Sequence, residues 1–329
     1  MILVTGATGH LGNVLVRRLN AMGECVRAMV LPNEGLEPLV GLDVECVIGN
    51  VLDPDSCRRA MRGVDTVYHL AGIISIMSGR DELMRRVNVD GAANVAQAAL
   101  DVGVERLVHV ASVHAFERIA EGAIDESVPL VPAGDFAAYD ATKAEGARAV
   151  LQAVERGLDA VIVCPTGVIG PYDYRRSELG KTLLGYARKK LKLSVDGAYD
   201  LVDVRDVAHG MVEAAERGRQ GEMYILSGNH VRIPKLCDMV ERITGHHAAH
   251  WVVPFKLAQG TAWLAEGWYR LLKTTPQFTR YSLDVLRSNS LISGAKARAE
   301  LSYSARPLSQ TISDTVRWLM APQTAVSPL

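Results

Sequence analysis

Tyr139 and Lys143 stand four residues apart, an interval that brings two side chains onto one face of a helix. A phenol with a pKa near ~10 handles a proton poorly at neutral pH, and an ammonium one helical turn away favours the phenolate by charge proximity. Such a pair could give a proton to a carbonyl oxygen, or take one from a hydroxyl, beside a hydride transfer. The same spacing recurs at Tyr186 with Lys190 and at Tyr269 with Lys273, so spacing alone does not choose. Context does. Only Tyr139 opens a helix, expected over 139–156, that lies between two buried strands, expected at Leu107–Ala111 and Ala160–Cys164. The later pairs fall in helical segments and read as solvated faces. Ser112 directly follows the first of those strands, where its hydroxyl can bond an oxygen also held by Tyr139. Standing alone it would equally suit a serine that closes a strand and bonds its own loop. In the company of Tyr139, Lys143 and a glycine loop, the catalytic reading leads.

That loop is Thr5-Gly6-Ala7-Thr8-Gly9-His10-Leu11-Gly12, between a first strand and a first helix. Gly6 permits a tight turn, Gly9 lets the backbone approach a pyrophosphate, and Gly12 lets helix and sheet pack closely, while the helix N-terminus offers amides to the phosphates. With the strand before it and the helix after it, the pattern reads as a dinucleotide site. An acidic residue about 20 positions on would grip the ribose of NAD, and a nearby arginine would favour NADP. Glu34 could be that acidic partner, but it lies beyond a proline and reads rather as a solvated loop residue, and Arg27 reads as a structural strand residue. The cofactor is therefore NAD(P), with the choice left open.

Short β-branched runs alternate with helical periodicity through the first half. Strands are expected at Ile2–Thr5, Cys25–Val30, Val44–Ile48, Thr66–Leu70, Leu107–Ala111 and Ala160–Cys164, and helices from Asn13, from Asp55, over 82–101 and over 139–156. Runs this continuously apolar imply a parallel sheet covered on both faces, an α/β doubly wound Rossmann-type fold. After Cys164 the rhythm breaks into a Pro/Gly-rich loop, a basic helix over 177–190, a return segment Leu201–Val204, a helix Val207–Arg217 and a last sheet strand Met223–Leu226. Helices dominate from about 230. The expected organisation is a cofactor domain over 1–229, with 167–198 contributing to a smaller, mostly helical substrate lobe over 230–329.

The 329 residues are 48% hydrophobic, enough for a large core, and a formal charge of −1 with dispersed basic residues leaves no nucleic-acid footprint. Five cysteines without Cys-x-x-Cys spacing fit a reduced, cytoplasmic setting. Residues 1–4 run straight into the glycine loop, so no signal peptide is expected, and no apolar run approaches the ~20 residues that span a bilayer. The amphipathic, tryptophan-bearing stretch Phe255–Leu272 reads as a core-facing helix of the smaller lobe, with contact to a membrane surface as the alternative. His246, His247 and His250 cluster without a cysteine or carboxylate pattern, so no metal is expected.

Taken in order, these motifs resemble the extended short-chain dehydrogenase/reductases of the NAD-dependent epimerase/dehydratase family, within them the group of dihydroflavonol reductases, aldehyde reductases and 3β-hydroxysteroid dehydrogenases. Thr5 to Gly12 is similar to the family's TGxxGxxG loop, Tyr68-His69-Leu70-Ala71-Gly72 to its fourth-strand motif beside the cofactor, and Val87-Asn88-Val89-Asp90-Gly91 to its NVxG motif. Tyr139-Asp140-Ala141-Thr142-Lys143 matches YxxxK, and Ser112 the catalytic Ser/Thr position. Cys164-Pro165-Thr166-Gly167-Val168-Ile169-Gly170-Pro171 resembles the loop that flanks the nicotinamide, and Val202 to Ala208 the VDVRDVA segment. The resemblance covers nearly the whole chain.

It implies that the reduced nicotinamide delivers hydride to a carbonyl carbon, that Tyr139 protonates the oxygen, that Ser112 orients it, and that Lys143 holds the nicotinamide ribose and lowers the tyrosine pKa. It places Leu31 where NADP-preferring members often carry arginine, and Asn50 with Val51 where an aspartate commonly meets adenine. Pro165 and Val168 fall beside the nicotinamide. Asn88 positions backbone or water near the site, or else caps a helix. His69 reads as a core histidine. His114, Tyr172, Tyr174 and Arg175 are the candidate substrate contacts, and a homodimer through the helices near 82–101 and 139–156 is implied.

Three functions compete. The first is a reductase of a small aldehyde, ketone or flavonoid- or steroid-like compound. The second is a sugar-nucleotide epimerase or dehydratase, for which Arg175, Arg176, Lys181, Lys189, Lys190 and Lys192 could clamp a diphosphate, although such a run more often forms a solvated helix face. The third is a non-catalytic dinucleotide sensor, which would have no need of the Tyr and Lys kept here.

Overall fold

The computed structural model describes residues 1–74, 81–119, 121–132, 138–189, 191, 193–195, 197–245, 251–253 and 291–321. The stretch Phe255–Leu272, the pair Tyr269 and Lys273, the histidine cluster at 246–250, and Lys190 and Lys192 lie outside the described residues.

The β-branched runs form seven strands of one parallel sheet: β1 (Ile2–Thr5), β2 (Val26–Val30), β3 (Val44–Ile48), β4 (Thr66–His69), β5 (Arg106–Val110), β6 (Ala160–Pro165) and β10 (Met223–Leu226). Their spatial order is β10-β6-β5-β4-β1-β2-β3. All six pairings are parallel. The chain winds outward from β1 in one direction to β3 and in the other through β4 to β10, so the order reverses between β1 and β4. Such a switch point opens a crevice outside the carboxyl ends of the strands. The register aligns Thr5, His69 and His109 side by side there.

Both faces are covered, which is why the strands are apolar on both sides. On one face α2 (Pro54–Ala60), α4 (Gly91–Val102) and α5 (Ala138–Glu155) pack through Cys57, Ala92, Ala96, Ala99, Ala147 and Val150 against Leu3, Val67, Leu107 and Ile162. On the other, α1 (His10–Ala21) and α7 (Val204–Arg217) pack through Leu15, Leu19, Val207 and Met211 against Val4, Val108 and Val163. The short α9 (Ala295–Glu300) joins this second core through Ala297. A separate apolar core unites α6 (Glu178–Ala187), α8 (Ile233–Thr244) and α10 (Leu308–Met320) through Leu183, Leu236, Ile312 and Val316.

Four local readings differ from the structure. The first helix starts at His10, because Gly9 is its N-cap. The helix expected over 82–101 is α3 (Asp81–Arg85), a π-helical turn Arg86–Asp90 and then α4. The basic helix stops at Ala187. Within the Pro/Gly-rich loop, β7 (Gly167–Ile169) pairs with β9 (Ala198–Asp203) and not with the main sheet; β9 in turn pairs with β11 (Asn229–Arg232). A two-strand ladder of β8 (Leu193–Val195) and β12 (Trp251–Val253) completes the described strands. Among the described residues no helix is long and apolar enough to cross a membrane.

Candidate active site

The glycine loop is shaped by close approaches that side chains would block. Gly6 has φ +69°, and a Cβ there would lie 2.8 Å from the Ala71 amide nitrogen; a Cβ on Gly12 would lie 2.1 Å from the Gly6 carbonyl oxygen. Gly9 caps α1 without a side-chain hydrogen bond, and the first turn carries no acidic residue. The amides at the start of α1, on His10 and Leu11, are therefore available to an anion and aided by the helix dipole. The His10 ring is engaged elsewhere, with Nε2 3.0 Å from the Pro171 carbonyl oxygen. The Thr5 hydroxyl accepts from the amides of Leu70 and Ala71 at 3.2 Å each, fastening the β4 loop to the glycine loop. Its oxygen also lies 2.8 Å from Nδ1 of His69, whose burial, with the nearby Lys143 charge, pushes the imidazole down to about 3. His69 is thus a neutral core histidine, stacked on His109 at 5.1 Å.

Ser112, Tyr139 and Lys143 converge at the carboxyl end of β5. Ser112 is buried and caps the short turn Val113–Ala115, its Oγ accepting from the His114 amide at 3.2 Å, and it hydrogen-bonds the Tyr139 hydroxyl. Lys143 donates from Nζ to the Val110 carbonyl at 3.1 Å, and a Cβ on Gly72 would come within 3.4 Å of Nζ. Glycine at 72 thus keeps open the space in front of the ammonium. Burial lowers the lysine to about 8. Burial likewise pushes Tyr139 up to about 12, against the lowering pull of the Ser112 bond. The expected lowering of the tyrosine by Lys143 is therefore absent: the ammonium is engaged on the Val110 carbonyl, and desolvation of the phenolate dominates.

Asn88 caps no helix. It lies within the π-helical turn, where its Oδ1 accepts from the Ile73 amide at 2.8 Å and its Nδ2 donates to the Ile73 carbonyl at 3.0 Å and to Thr142 Oγ1 at 3.1 Å. It ties the segment after Gly72 to α5, one turn from Tyr139. Gly146 permits this, since a Cβ there would lie 2.3 Å from the Asn88 carbonyl oxygen. Val51 is buried against Gly91, while Asn50 accepts from the Leu52 amide through Oδ1 at 2.9 Å. Pro165 ends β6 and Val168 lies in β7.

The sequence reading misplaced Glu34. Its side chain is only 16% exposed; it accepts from Thr8 Oγ1 at 2.6 Å, from the Leu31 amide at 2.9 Å and from Arg175. Burial alone would raise its pKa, but these bonds outweigh it and hold the carboxylate below its ordinary value. The proline that argued for an outlying loop causes the opposite: Pro32 and Asn33 (φ 62°) form a turn, closed by the Glu34 amide on the Leu31 carbonyl, that brings Glu34 back to the glycine loop. Leu31 itself is exposed.

Of the four candidate substrate contacts, only His114 lies beside Tyr139, its ring edge-on at 6.0 Å. Arg175 sits on Thr8 and Glu34. The Tyr172 ring faces the Arg17 guanidinium at 4.5 Å, and the Tyr174 hydroxyl accepts from Arg17 at 3.2 Å. Both rings also meet Trp318. The reason is the path of the chain: after β7, Gly170 (φ 154°) and Tyr172 (φ 69°) turn it across α1 rather than over Tyr139. Two residues to which the sequence reading gave no role adjoin the site: Asp140 follows Tyr139 in α5, and Arg118 Nη2 donates to Asp140 Oδ2 at 2.7 Å. Among the described residues no group of three or more His, Cys, Asp or Glu could hold a metal ion.

Residues 2–227 match the NAD dependent epimerase/dehydratase family. The chain belongs to that family. Its relatives include sterol demethylase protein B of Methylococcus capsulatus, 36% identical over 318 residues with 96% of this chain and 97% of the relative covered. Another is 4-hydroxy-2-methyl-3-oxo-4-farnesyl-3,4-dihydroquinoline-1-oxide ketoreductase of Stigmatella aurantiaca, 32% identical with 95% of each chain covered. Among solved structures, the crystal structure of gox2253 superposes with a TM-score of 0.85 at 31% identity over 97% of each chain. As a member of this NAD-dependent family the protein is an enzyme of the extended short-chain dehydrogenase/reductase type.

Proposed function

We propose that the protein is an oxidoreductase that interconverts a carbonyl and a hydroxyl on a largely apolar small molecule, with Tyr139 as the general acid and base. The observation that carries this reading is the buried Tyr139 hydroxyl on Ser112, with Lys143 one turn along α5, at the crevice that the glycine loop also faces. When bound, the nicotinamide supplies or accepts the hydride. The residues then act in sequence. Ser112 holds the substrate oxygen. Tyr139, kept protonated at neutral pH by its burial, donates to that oxygen as negative charge develops on it. Lys143, whose ammonium faces the space that Gly72 leaves open, would hold the ribose hydroxyls, and Asn88 fixes the backbone at Ile73. The relatives named as a ketoreductase and a sterol demethylase protein point to an apolar substrate.

The cofactor of this reading is NAD. Glu34 lies where a carboxylate accepts from the adenosine ribose hydroxyls and repels a 2′-phosphate. In Glu34→Ala the expected result is a fall in NADH affinity of about ten- to a hundredfold, the worth of a hydrogen bond to a charged group. NADPH affinity should rise as Arg175 is released; fluorescence titration of both nucleotides checks this, and an unchanged ratio would contradict it.

Because burial leaves the Lys143 pKa at about 8, its ammonium is intact below that pH and is lost above it. NADH affinity should be flat from pH 6 to 7 and weaken as pH rises through about 8. The same titration in Lys143→Met should lose that pH dependence.

The epimerase reading finds less support. Of the six residues that could clamp its diphosphate, Arg175 serves Glu34 and Thr8 and Lys181 pairs with Glu178 at 2.6 Å, which leaves Arg176 and Lys189, with Lys190 and Lys192 outside the described residues. Oxidation of NADH driven by an added ketone, with no turnover of a UDP-sugar, is the test of the two.

A further inference from the structure

While the first amides of α1 face the crevice, its later turns border a second concavity that the chemistry at Tyr139 does not use. This cleft, of about 460 Å³, lies between α1, α7 and the segment before α10, and Arg17, Arg18, Tyr172, Arg205, His209 and Arg306 line it. Both helices pack on the second face of the sheet, whereas α5, which carries Tyr139, packs on the first. The sheet therefore separates the cleft from the reacting centre.

Guanidinia gathered at one concavity repel one another and need negative charge beside them. Two receive it. Arg205 Nη2 donates to Asp203 at 2.8 Å and to Asp314 at 2.7 Å, and Arg306 Nη2 donates to Asp206 at 2.6 Å. With Nε of each also on an aspartate, Nη1 of each makes no hydrogen bond among the described residues. Arg17 and Arg18 differ, since among the described residues no carboxylate pairs with either. Arg17 donates to the Pro38 carbonyl at 3.0 Å and to the Tyr174 hydroxyl at 3.2 Å. Arg18 donates to Nδ1 of His209 at 2.8 Å, an imidazole that brings no negative charge. Nε of Arg18 is buried with no hydrogen-bond partner among the described residues. A buried donor on a charged group is costly to leave unpaired, and an anion in the cleft would remove that cost.

The number of donors selects among anions. One carboxylate offers two oxygens to a single planar fork, whereas adjoining phosphates offer oxygens in several directions, which four guanidinia can meet. The volume is that of a small-molecule site. We propose that the cleft is a second anion site, which takes the terminal phosphates of a phosphorylated small molecule between Arg17 and Arg18 of α1 and the outer nitrogens of Arg205 and Arg306. The site goes beyond the oxidoreductase reading and does not depend on it.

The test is calorimetric titration of the whole protein with inorganic pyrophosphate at constant ionic strength, with NADH saturating so that the glycine loop is filled. One saturable site is expected. Arg18→Met, which keeps the aliphatic stem, should weaken it by about ten- to a hundredfold, the worth of a hydrogen bond between charged groups. Ala21→Glu alters an exposed residue of the same wall and should weaken it by about tenfold through repulsion, so the result stands even where Arg18→Met does not fold. NADH affinity should be unchanged in both variants, which reports their folding. Absence of saturable binding, or binding that both variants leave intact, would overturn the proposal. Citrate bound as tightly as pyrophosphate would overturn the assignment to phosphate. If NADH itself does not bind, the nucleotide reading fails, and the comparison of wild type with Ala21→Glu still decides the cleft.

Discussion

Tyr139→Phe is expected to slow carbonyl reduction by about 10²- to 10⁴-fold, the usual contribution of a positioned general acid, while NADH binds as before. The phenol ring is buried and only its hydroxyl meets Ser112, so phenylalanine fills the same space and removes only the proton donor. On the barrier scale the loss corresponds to about 3–5 kcal/mol. Tyr186→Phe is the matched control: it removes a hydroxyl from a tyrosine in the separate core of α6, α8 and α10, whose sequence spacing to a lysine is the same. Steady-state rates with a ketone series should separate the two variants by at least about a hundredfold, given the expected range. Equal rates would remove Tyr139 from the chemistry.

The second large effect is expected at Gly12. An added methyl would stand 2.1 Å from the Gly6 carbonyl oxygen and 2.8 Å from the Ala7 Cα, both backbone atoms that cannot rotate away. Gly12→Ala must therefore push α1 off the loop, and with it the amides that face the pyrophosphate. NADH affinity should fall by about a hundredfold or more, and overpacking should cost about 1–3 kcal/mol of stability, read as a lower Tm. Gly23→Ala provides the contrast. Gly23, unlike Gly12, has a positive φ, 81°, but nothing lies within 4 Å of its would-be Cβ. A left-handed alanine there costs about 1–2 kcal/mol, yet NADH affinity should not change. A Gly12→Ala variant with full affinity would show that the loop does not hold the nucleotide.

The contrast between these two glycines also marks how much the sequence could say. Gly12 was legible because a strand, a glycine pattern and a helix stand in immediate succession, and local pattern is what sequence reading detects. The strands Val44–Ile48 and Met223–Leu226 were legible to the residue for the same reason. That Ser112, Tyr139 and Lys143 come together was legible because Ser112 follows β5 and Tyr139 opens α5 at the carboxyl edge of the sheet, with Lys143 one turn further along the helix. Three features were not. β7 pairs with β9, more than thirty residues away in sequence, and its three residues carry no period of their own. Glu34 was dismissed because a proline preceded it, although Pro-Asn is also the chemistry of a tight turn that reverses the chain. The grouping of Arg118 with Asp140 spans a loop, and no local pattern announces it. Tyr172 and Tyr174 were assigned by their place after the nicotinamide loop, but positive φ values at Gly170 and Tyr172 send them to Arg17 and Trp318 instead.

Burial accounts for the remaining departure. A charge one helical turn away favours the phenolate only if desolvation does not outweigh it, and in this fold burial pushes Tyr139 up to about 12 and Lys143 down to about 8. The tyrosine is thus poised as a donor, which suits reduction at neutral pH. Oxidation of an alcohol requires the proton to leave the substrate, and its rate should rise with pH for as long as Lys143 keeps its charge.

The most direct measurement is a single turnover with NADH carrying deuterium at both C4 positions, in the presence of a ketone substrate, with the alcohol product analysed by mass. The account predicts one deuterium on the carbinol carbon, one NADH oxidised per alcohol formed, and loss of both in Tyr139→Phe. Tight binding of NADH with no deuterium in any product, or isomerisation of a UDP-sugar without net oxidation of NADH, would contradict it.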